Sequence, residues 1–338
     1  MQKAFLTVAL LIGASLVVCN QLPAGKNNTY TSIESAPIDY RVQGEYEGVL
    51  KVNGKEEKFG AQVVAKGEGK FDLRLLRGGL PGAGWDGQSE ERGKGEFVDE
   101  TKVLFHAGPK FTEKLAIVHL GRNATKGDYL EVIGKGEPSE FKKVFRKSPT
   151  EGKQPPAGAI VLFDGTTAEK WSNGKLVEKN LLNIGVTSKD KFKDFTLHLE
   201  FRLPFMPNAS GQARGNSGVY LQGRYEIQLL DSFGLKGENN ECGGIYSQVK
   251  PLVNACLPPL VWQTYDIEFT AARFENGQKV KNAVVTVYHN GIKIHDNVEI
   301  KGGSTGGGQP ETDTPGPIHL QNHGNPVVFR NIWVVEKK

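Results

Sequence analysis

Apolar and polar residues alternate along most of this chain with a period of two, the spacing that sends successive side chains to opposite faces of a strand. The run from Phe195 to Leu203 is the clearest. Phe195, Leu197, Leu199, Phe201 and Leu203 share one face, and Thr196, His198, Glu200 and Arg202 the other. Shorter runs predict strands at 219–221, 225–230, 265–271, 284–289, 292–296, 318–321 and 327–335. Nearer the N-terminus they predict strands at 41–46, 49–52, 59–65, 71–76, 102–106, 114–118 and 129–133. Asn53-Gly54 and His289-Asn290-Gly291 are signals for tight hairpin turns. Past the first apolar run, no segment keeps a helical period for even about ten residues. The expected fold class is all-β, a jelly-roll sandwich of two sheets in the C-terminal half preceded by a smaller β-rich domain.

The N-terminus follows a different pattern. Met1-Gln2-Lys3 precedes an uncharged apolar run from Ala4 to Val18, short for a membrane span but suited to a secretory signal. Residues 1–24 therefore read as a signal peptide, with a cut after Ala24 and export to the periplasm or the cell exterior. A lipid anchor at Cys19 is the lesser alternative. Residues 25–39 are polar and expected to be a flexible leader. Residues 40–147 form the first β-rich domain, 148–158 have the Pro, Gly and Lys composition of a linker, and 159–338 form the sandwich. Gly78 to Gly87 is too rich in glycine for helix or strand and reads as a loop that could present Trp85. Asn123-Ala124-Thr125 matches a glycosylation sequon. No later segment is apolar enough to span a membrane.

Composition narrows the partners. Of the 338 residues, 42 are Lys or Arg and 38 are Asp or Glu, a formal net charge of +4 with no long run of one sign. That balance argues against nucleic acid or an anionic membrane as the main partner. No glycine fingerprint for a flavin or nicotinamide occurs, so no nucleotide cofactor is expected. If Cys19 leaves with the signal, Cys242 and Cys256 remain. An even pair in an exported chain suggests a disulfide closing a short loop, contributing roughly 3 kcal/mol; two free buried thiols are the alternative.

Three clusters could carry chemistry. In Tyr225–Asp231, Glu226 and Gln228 share a face while Ile227 and Leu229 face the core, and Asp231 joins them only across a bulge. Jelly-roll glycosidases align carboxylates on such a strand, yet the middle position here is Gln228 and the last is Asp231. Paired-carboxylate hydrolysis, which needs two carboxyls about 5–9.5 Å apart, is thus poorly supplied. A solvated Glu on an exposed strand is the plainer reading. The second cluster, His319, Gln321 and His323, projects from one face of an extended segment. It offers acid, base or metal-binding chemistry, and surface histidines would explain it equally. Glu226 with His319 and His323 could hold a divalent metal. The third cluster, Gly215-Asn216-Ser217-Gly218, would let backbone approach a ligand, or is an ordinary turn.

One succession of motifs is more specific than any of its parts. Leu162-Phe163-Asp164-Gly165 is followed by Trp171, the 195–203 run, Gly215–Tyr220, Tyr225–Asp231, Trp262-Gln263-Thr264-Tyr265, His289-Asn290-Gly291, Gly316–Gly324 and Phe329-Arg330-Asn331-Ile332. In this order they resemble the 3-keto-disaccharide hydrolase family, also described as 3-keto-glucoside 1,2-lyases and 2-hydroxy-glucal hydratases, over roughly residues 157–338. The resemblance implies a concanavalin-like sandwich acting on an oligosaccharide or glycoside oxidised at C3, a substrate that a C3-oxidising enzyme must supply. It implies a base at C2, either Glu226 or His323. An oxyanion would be held by Arg202, His319 or a divalent cation, and hydroxyls by Asn216, Gln228 and Gln321. Asp231 would orient a neighbour or bind substrate. Tyr246 and Trp262 could stack on a sugar or pack in the core, and Arg330 reads better as a structural partner at a strand end. Two other functions stay open: a non-catalytic carbohydrate-binding module and a conventional glycoside hydrolase.

Overall fold

The computed structural model of the chain describes residues 28–108, 110, 113–121, 127–133, 137–304 and 306–337. The apolar N-terminal run, Cys19 and the Asn123 sequon lie outside them.

The first domain is a closed antiparallel barrel of eight strands in sequence order. These are β1 (Gly44–Val52), β2 (Lys55–Gly67), β3 (Lys70–Arg77), β4 (Glu90–Asp99), β5 (Lys102–Ala107), β6 (Glu113–His119), β7 (Tyr129–Val132) and β8 (Ser139–Val144). Asn53 and Gly54 both have positive φ, +52° and +78°, as the primed turn between β1 and β2 requires. Sequence patterning missed β4, because its inward positions include Gly93 and Gly95 where apolar side chains would be expected. The lumen is already full there: a Cβ on Gly95 would lie 2.6 Å from the Phe105 ring. Tyr46, Ala61, Val63, Phe71, Leu73, Phe105, Val118, Leu130 and Phe141 pack inside.

Residues 28–43 are not a free leader. Tyr30 exchanges two backbone hydrogen bonds with Phe205, each 2.9 Å. The short helix α1 (Ile38–Val42) closes one barrel end, where the Tyr46 hydroxyl donates to the Val42 carbonyl at 2.7 Å. Phe205 and Leu260 from the second domain join the barrel core there.

The second domain contains β9 (Ile160–Phe163), β10 (Trp171–Ser172), β11 (Leu176–Val177), β12 (Leu181–Leu182), β13 (Val186–Phe192), β14 (Phe195–Arg202), β15 (Asn216–Leu221) and β16 (Tyr225–Leu230). It continues with β17 (Trp262–Thr270), β18 (Arg273–Glu275), β19 (Gln278–Lys281), β20 (Ala283–His289), β21 (Ile292–Ile300), β22 (Gly316–Leu320) and β23 (Val328–Glu336). A five-stranded sheet, β10-β13-β22-β15-β16, packs on an eight-stranded one, β11-β12-β23-β14-β17-β20-β21, with β9 beside β23. The predicted face of β14, Phe195 to Leu203, is fully buried between them with Val219, Ile227, Leu229, Ile318 and Leu320. All-β architecture with a sandwich in the C-terminal half is thus the observed fold.

Cys242 and Cys256 sit in this core as free thiols. The expected disulfide is not formed, although the two thiols lie in hydrogen-bonding contact with each other. Cys242 Sγ lies 3.3 Å from the Tyr265 hydroxyl, and Cys256 Sγ 3.4 Å from the Leu257 carbonyl. Both pack as small hydrophobes.

The segment expected as a linker is a strap. It crosses the outer face of the large sheet, where Ser148 Oγ and Thr150 Oγ1 lie 2.6 and 2.8 Å from Thr264 Oγ1. The Gly152 amide donates to Glu200 Oε1 at 2.5 Å, and Lys153 Nζ pairs with Asp266 at 3.1 Å. Burial works against the charge on Glu200, but His198, Asn331, Gly152 and Arg330 outweigh it and hold its carboxyl at about 2.

Candidate active site

The five-stranded sheet has one face in the core and one face toward a pocket. In the β15–β16 ladder Gly218 pairs with Gln228 and Tyr220 with Glu226, and in the β15–β22 ladder Tyr220 pairs with His319. Directly opposed residues share a face, so these side chains stand together opposite the core-facing Val219, Ile227 and Leu229. They contribute to a cavity of about 290 Å³ lined by Gln212, Asn216, Tyr220, Glu226, Gln228, Tyr246, Gly306, Gln321 and His323.

Among the described residues Glu226 is its sole lining carboxylate. Glu226 Oε2 accepts the Tyr220 hydroxyl at 2.8 Å, and that hydroxyl in turn accepts from Gln321 Nε2 at 3.0 Å. With its amide turned to suit its neighbours, Gln228 donates to Glu226 Oε1 at 3.0 Å and to the Ser217 carbonyl at 2.9 Å. Burial lifts the Glu226 carboxyl from 4.5 to about 7, with the Tyr220 bond pulling the other way. Burial, with the Glu226 charge and this bond, drives the Tyr220 phenol well above its ordinary value, so it stays a donor.

Gly218 is part of this geometry. A Cβ there would lie 2.2 Å from Glu226 Oε1, so the carboxylate lies over a strand position only glycine leaves open. The segment after β21 forms the rim. The Glu226 amide donates to Ser304 Oγ at 3.0 Å, and the Ser304 amide to the Arg224 carbonyl at 2.7 Å. Arg224, buried, donates to Thr312 Oγ1 at 2.8 Å. Gly306 rests on the Tyr220 hydroxyl, where a Cβ would come within 2.3 Å.

Of the residues named from sequence, Glu226, His323, Asn216, Gln228, Gln321 and Tyr246 line the cavity, while Arg202, Asp231, His319 and Trp262 do not. Arg202 is on the outer face of the large sheet, paired with Glu178 and 5.3 Å from the Trp262 ring centroid. The alternation that buries Phe201 and Leu203 sends Arg202 away from the pocket. Asp231 lies just past β16, completely buried and 3.1 Å from Arg214. No bulge returns it to the face of Glu226. His319 is on the right face but turns its Nδ1 to the Thr187 hydroxyl at 2.9 Å. Burial lowers its ring below the ordinary value, keeping it neutral.

Trp262 and Arg330 stack on each other at 3.9 Å outside the pocket, with Arg330 also paired to Glu200 at 2.6 Å; both serve the strap side of the sheet. Trp85 packs against Arg74 at 4.8 Å rather than standing free.

Tyr220, Gln212 and Gly306 have no sequence-derived role. The period-two alternation of β15, which sets Asn216, Gly218 and Tyr220 on one face, would have exposed Tyr220; nothing local marks Gln212 or Gly306.

Among the described residues no group of three or more His, Cys, Asp or Glu could hold a metal ion. Glu226 and His323 share the cavity, but His319 is committed to Thr187, so the proposed donor set does not assemble. What does assemble is a partly protonated carboxylate ringed by amide and hydroxyl groups suited to a polyhydroxylated ligand, with an imidazole at its exposed edge.

Residues 158–335 match the family described as the 3-keto-alpha-glucoside-1,2-lyase-like domain. A crystal structure of a candidate glycosyl hydrolase from Parabacteroides distasonis ATCC 8503 is 36% identical over 54% of this chain and 85% of its own, with a TM-score of 0.49. A second from the same organism is 17% identical over 54% of this chain and 95% of its own, with a TM-score of 0.39. No curated protein matches the chain.

Proposed function

Since the chain belongs, through residues 158–335, to the 3-keto-α-glucoside-1,2-lyase-like family, we propose that its sandwich domain cleaves glycosides already oxidised at C3. Family membership supports a carbohydrate-active protein. The elimination chemistry is inferred from the pocket, and the observation that carries it is the lone lining carboxylate, lifted to about 7. A paired-carboxylate glycosidase needs a second acid about 5–9.5 Å away, and Asp231 is turned into the protein beside Arg214.

A ketone at C3 acidifies the C2–H bond. Glu226 takes that proton, leaving an enolate whose charge rests on the C3 oxygen. The electron pair then forms a C1–C2 double bond, the C3 carbonyl is restored and the C1 substituent leaves as an alkoxide. His323, at the exposed edge, gives that leaving oxygen its proton. In the second half a water adds at C1, giving one proton to His323, and Glu226 returns its proton to C2, completing net hydrolysis and restoring both groups. The Gln321 amide hydrogen not given to Tyr220 donates to a sugar hydroxyl, the Asn216 side-chain carbonyl accepts from another, Gln228 and Tyr220 hold the carboxylate, and Tyr246 offers a ring to a sugar face. The substrate requires a prior C3 oxidation by another enzyme, and the apolar N-terminal run is consistent with both acting after export.

Full-length protein incubated with a 3-keto-disaccharide and with its unoxidised parent, products read by mass spectrometry, tests this reading. Cleavage of the keto sugar alone through a 2-hydroxy-glucal species, with solvent deuterium entering at C2, is expected. Release of sugar from the unoxidised parent overturns it in favour of ordinary hydrolysis. Binding without turnover makes the domain a carbohydrate-binding module.

A further inference from the structure

We propose that the end of the barrel opposite α1 is a binding site for a small amphiphile with a cationic head group on an apolar body. An eight-stranded barrel is just wide enough to be filled by its own side chains or to hold one small ligand, and this barrel does both. Its middle is filled: the Phe141 ring lies so close over β1 that a Cβ on Gly48 would come within 2.2 Å of it. Beyond that layer the lumen opens into a cavity of about 760 Å³, within the usual range of about 300–1,000 Å³ for small-molecule sites. Leu50, Val52, Phe59, Leu75, Leu115 and Val132 form its walls. The other end is sealed by α1, Phe205 and Leu260, so the cavity has one entrance.

The charge at that entrance sets the ligand's sign. Register places Glu91 opposite the lumen-facing Leu75 and Glu113 opposite the lumen-facing Ala107, so both acids occupy inward positions at the lip. Neither forms an ion pair with another described residue. Arg77, at the inward position following Leu75 on β3, is taken by Glu57 at 2.5 Å. Lys51 and Lys114 also border the cavity, but Lys51 follows the lumen-facing Leu50 and Lys114 pairs with His106 on the outer face. Among the described residues the inward lip is therefore acidic above an apolar throat. Apolar burial would supply the affinity and the two carboxylates the preference for a cation. The site shares no residue with the Glu226 pocket, so it stands or falls independently of the sugar chemistry.

The test uses the full chain and the neutral fluorescent reporter N-phenyl-1-naphthylamine, displaced by decyltrimethylammonium, decyl maltoside or decyl sulfate below their micellar concentrations. Saturable one-site reporter binding is expected, with the ammonium displacing it at concentrations about tenfold below the sulfate. Glu91→Gln with Glu113→Gln should bring the two to within about twofold while reporter binding persists. Val52→Trp, at the half-buried lip, and Ala107→Trp, deeper, should each abolish reporter binding with far-UV circular dichroism and melting retained. Val52→Trp keeps the test decisive if Ala107→Trp does not fold. Absence of saturable binding, sulfate displacing as well as ammonium, or wild-type binding by folded Val52→Trp would each overturn the proposal.

Discussion

Replacing Glu226 with Gln should stabilise the sandwich while removing its chemistry, and the stabilisation should carry a specific pH signature. Unfolded, this carboxyl titrates near 4.5; folded, burial raises it to about 7. Between those values the native protein holds a proton that the unfolded chain has lost, so stability falls as pH rises through the window and the full cost persists above it. The interval, at 1.36 kcal/mol per pH unit, comes to about 3 kcal/mol. Glutamine keeps the shape and can accept from Tyr220 without ever ionising. The melting difference between Glu226→Gln and wild type should therefore be near zero at about pH 4.5 and plateau above about pH 7, at roughly 6–12 °C for a domain of this size. The assay is a series of melts by circular dichroism from pH 4.5 to 9. In parallel, wild-type cleavage of a 3-keto-disaccharide should rise with pH to a midpoint near 7, and Glu226→Gln should lose about 10²–10⁴-fold above that midpoint, the gap narrowing below it as wild type loses its base. A melting difference that does not change across this range would refute the assignment of a neutral, desolvated carboxyl. A variant keeping more than about a tenth of the activity would refute its role as base.

Other perturbations test the supporting geometry. Tyr220→Phe removes the hydrogen bond that lowers Glu226, so the midpoint of the pH–rate profile should move upward; an unmoved midpoint would show that Tyr220 does not tune the base. Gly218→Ala puts a methyl 2.2 Å from the carboxylate oxygen, and should abolish turnover at a stability cost of about 1–3 kcal/mol, read by rate and melt together. Arg202→Ala should leave kcat and KM unchanged and cost at most about 1 kcal/mol, because its partner Glu178 is exposed and on the far side of the sandwich; a large loss of kcat would return Arg202 to the site.

Much of the sandwich was written in local pattern. A period of two places Phe195 to Leu203 in the core and sends Arg202 out of it, and pairs Glu226 with Gln228 and Asn216 with Tyr220, because strand geometry alone decides which side chains share a face. Asn53-Gly54 and Asn290-Gly291 marked their turns for an equally local reason: both residues need positive φ, and these tolerate it. What depended on distant contacts was not legible. β4 carries glycines at inward positions because Phe105 and Leu115 fill the lumen beside them, so closure of the barrel erased the pattern that would have announced the strand. The 148–158 segment has a linker's composition, yet Thr264, Asp266 and Glu200 bind it to the sheet. Cys242 and Cys256 do meet in the core, yet as free thiols that also contact the Tyr265 hydroxyl and the Leu257 carbonyl. His319 and Asp231 carry the right chemistry and are diverted by Thr187 and Arg214. Sequence alone determined the class of fold, the faces of the strands whose alternation is unbroken and the carboxylate with its amide neighbours. Only the tertiary structure decided which of those groups meet, because a side chain's partner across a sheet or a domain boundary is chosen by burial and hydrogen bonding that no local spacing encodes.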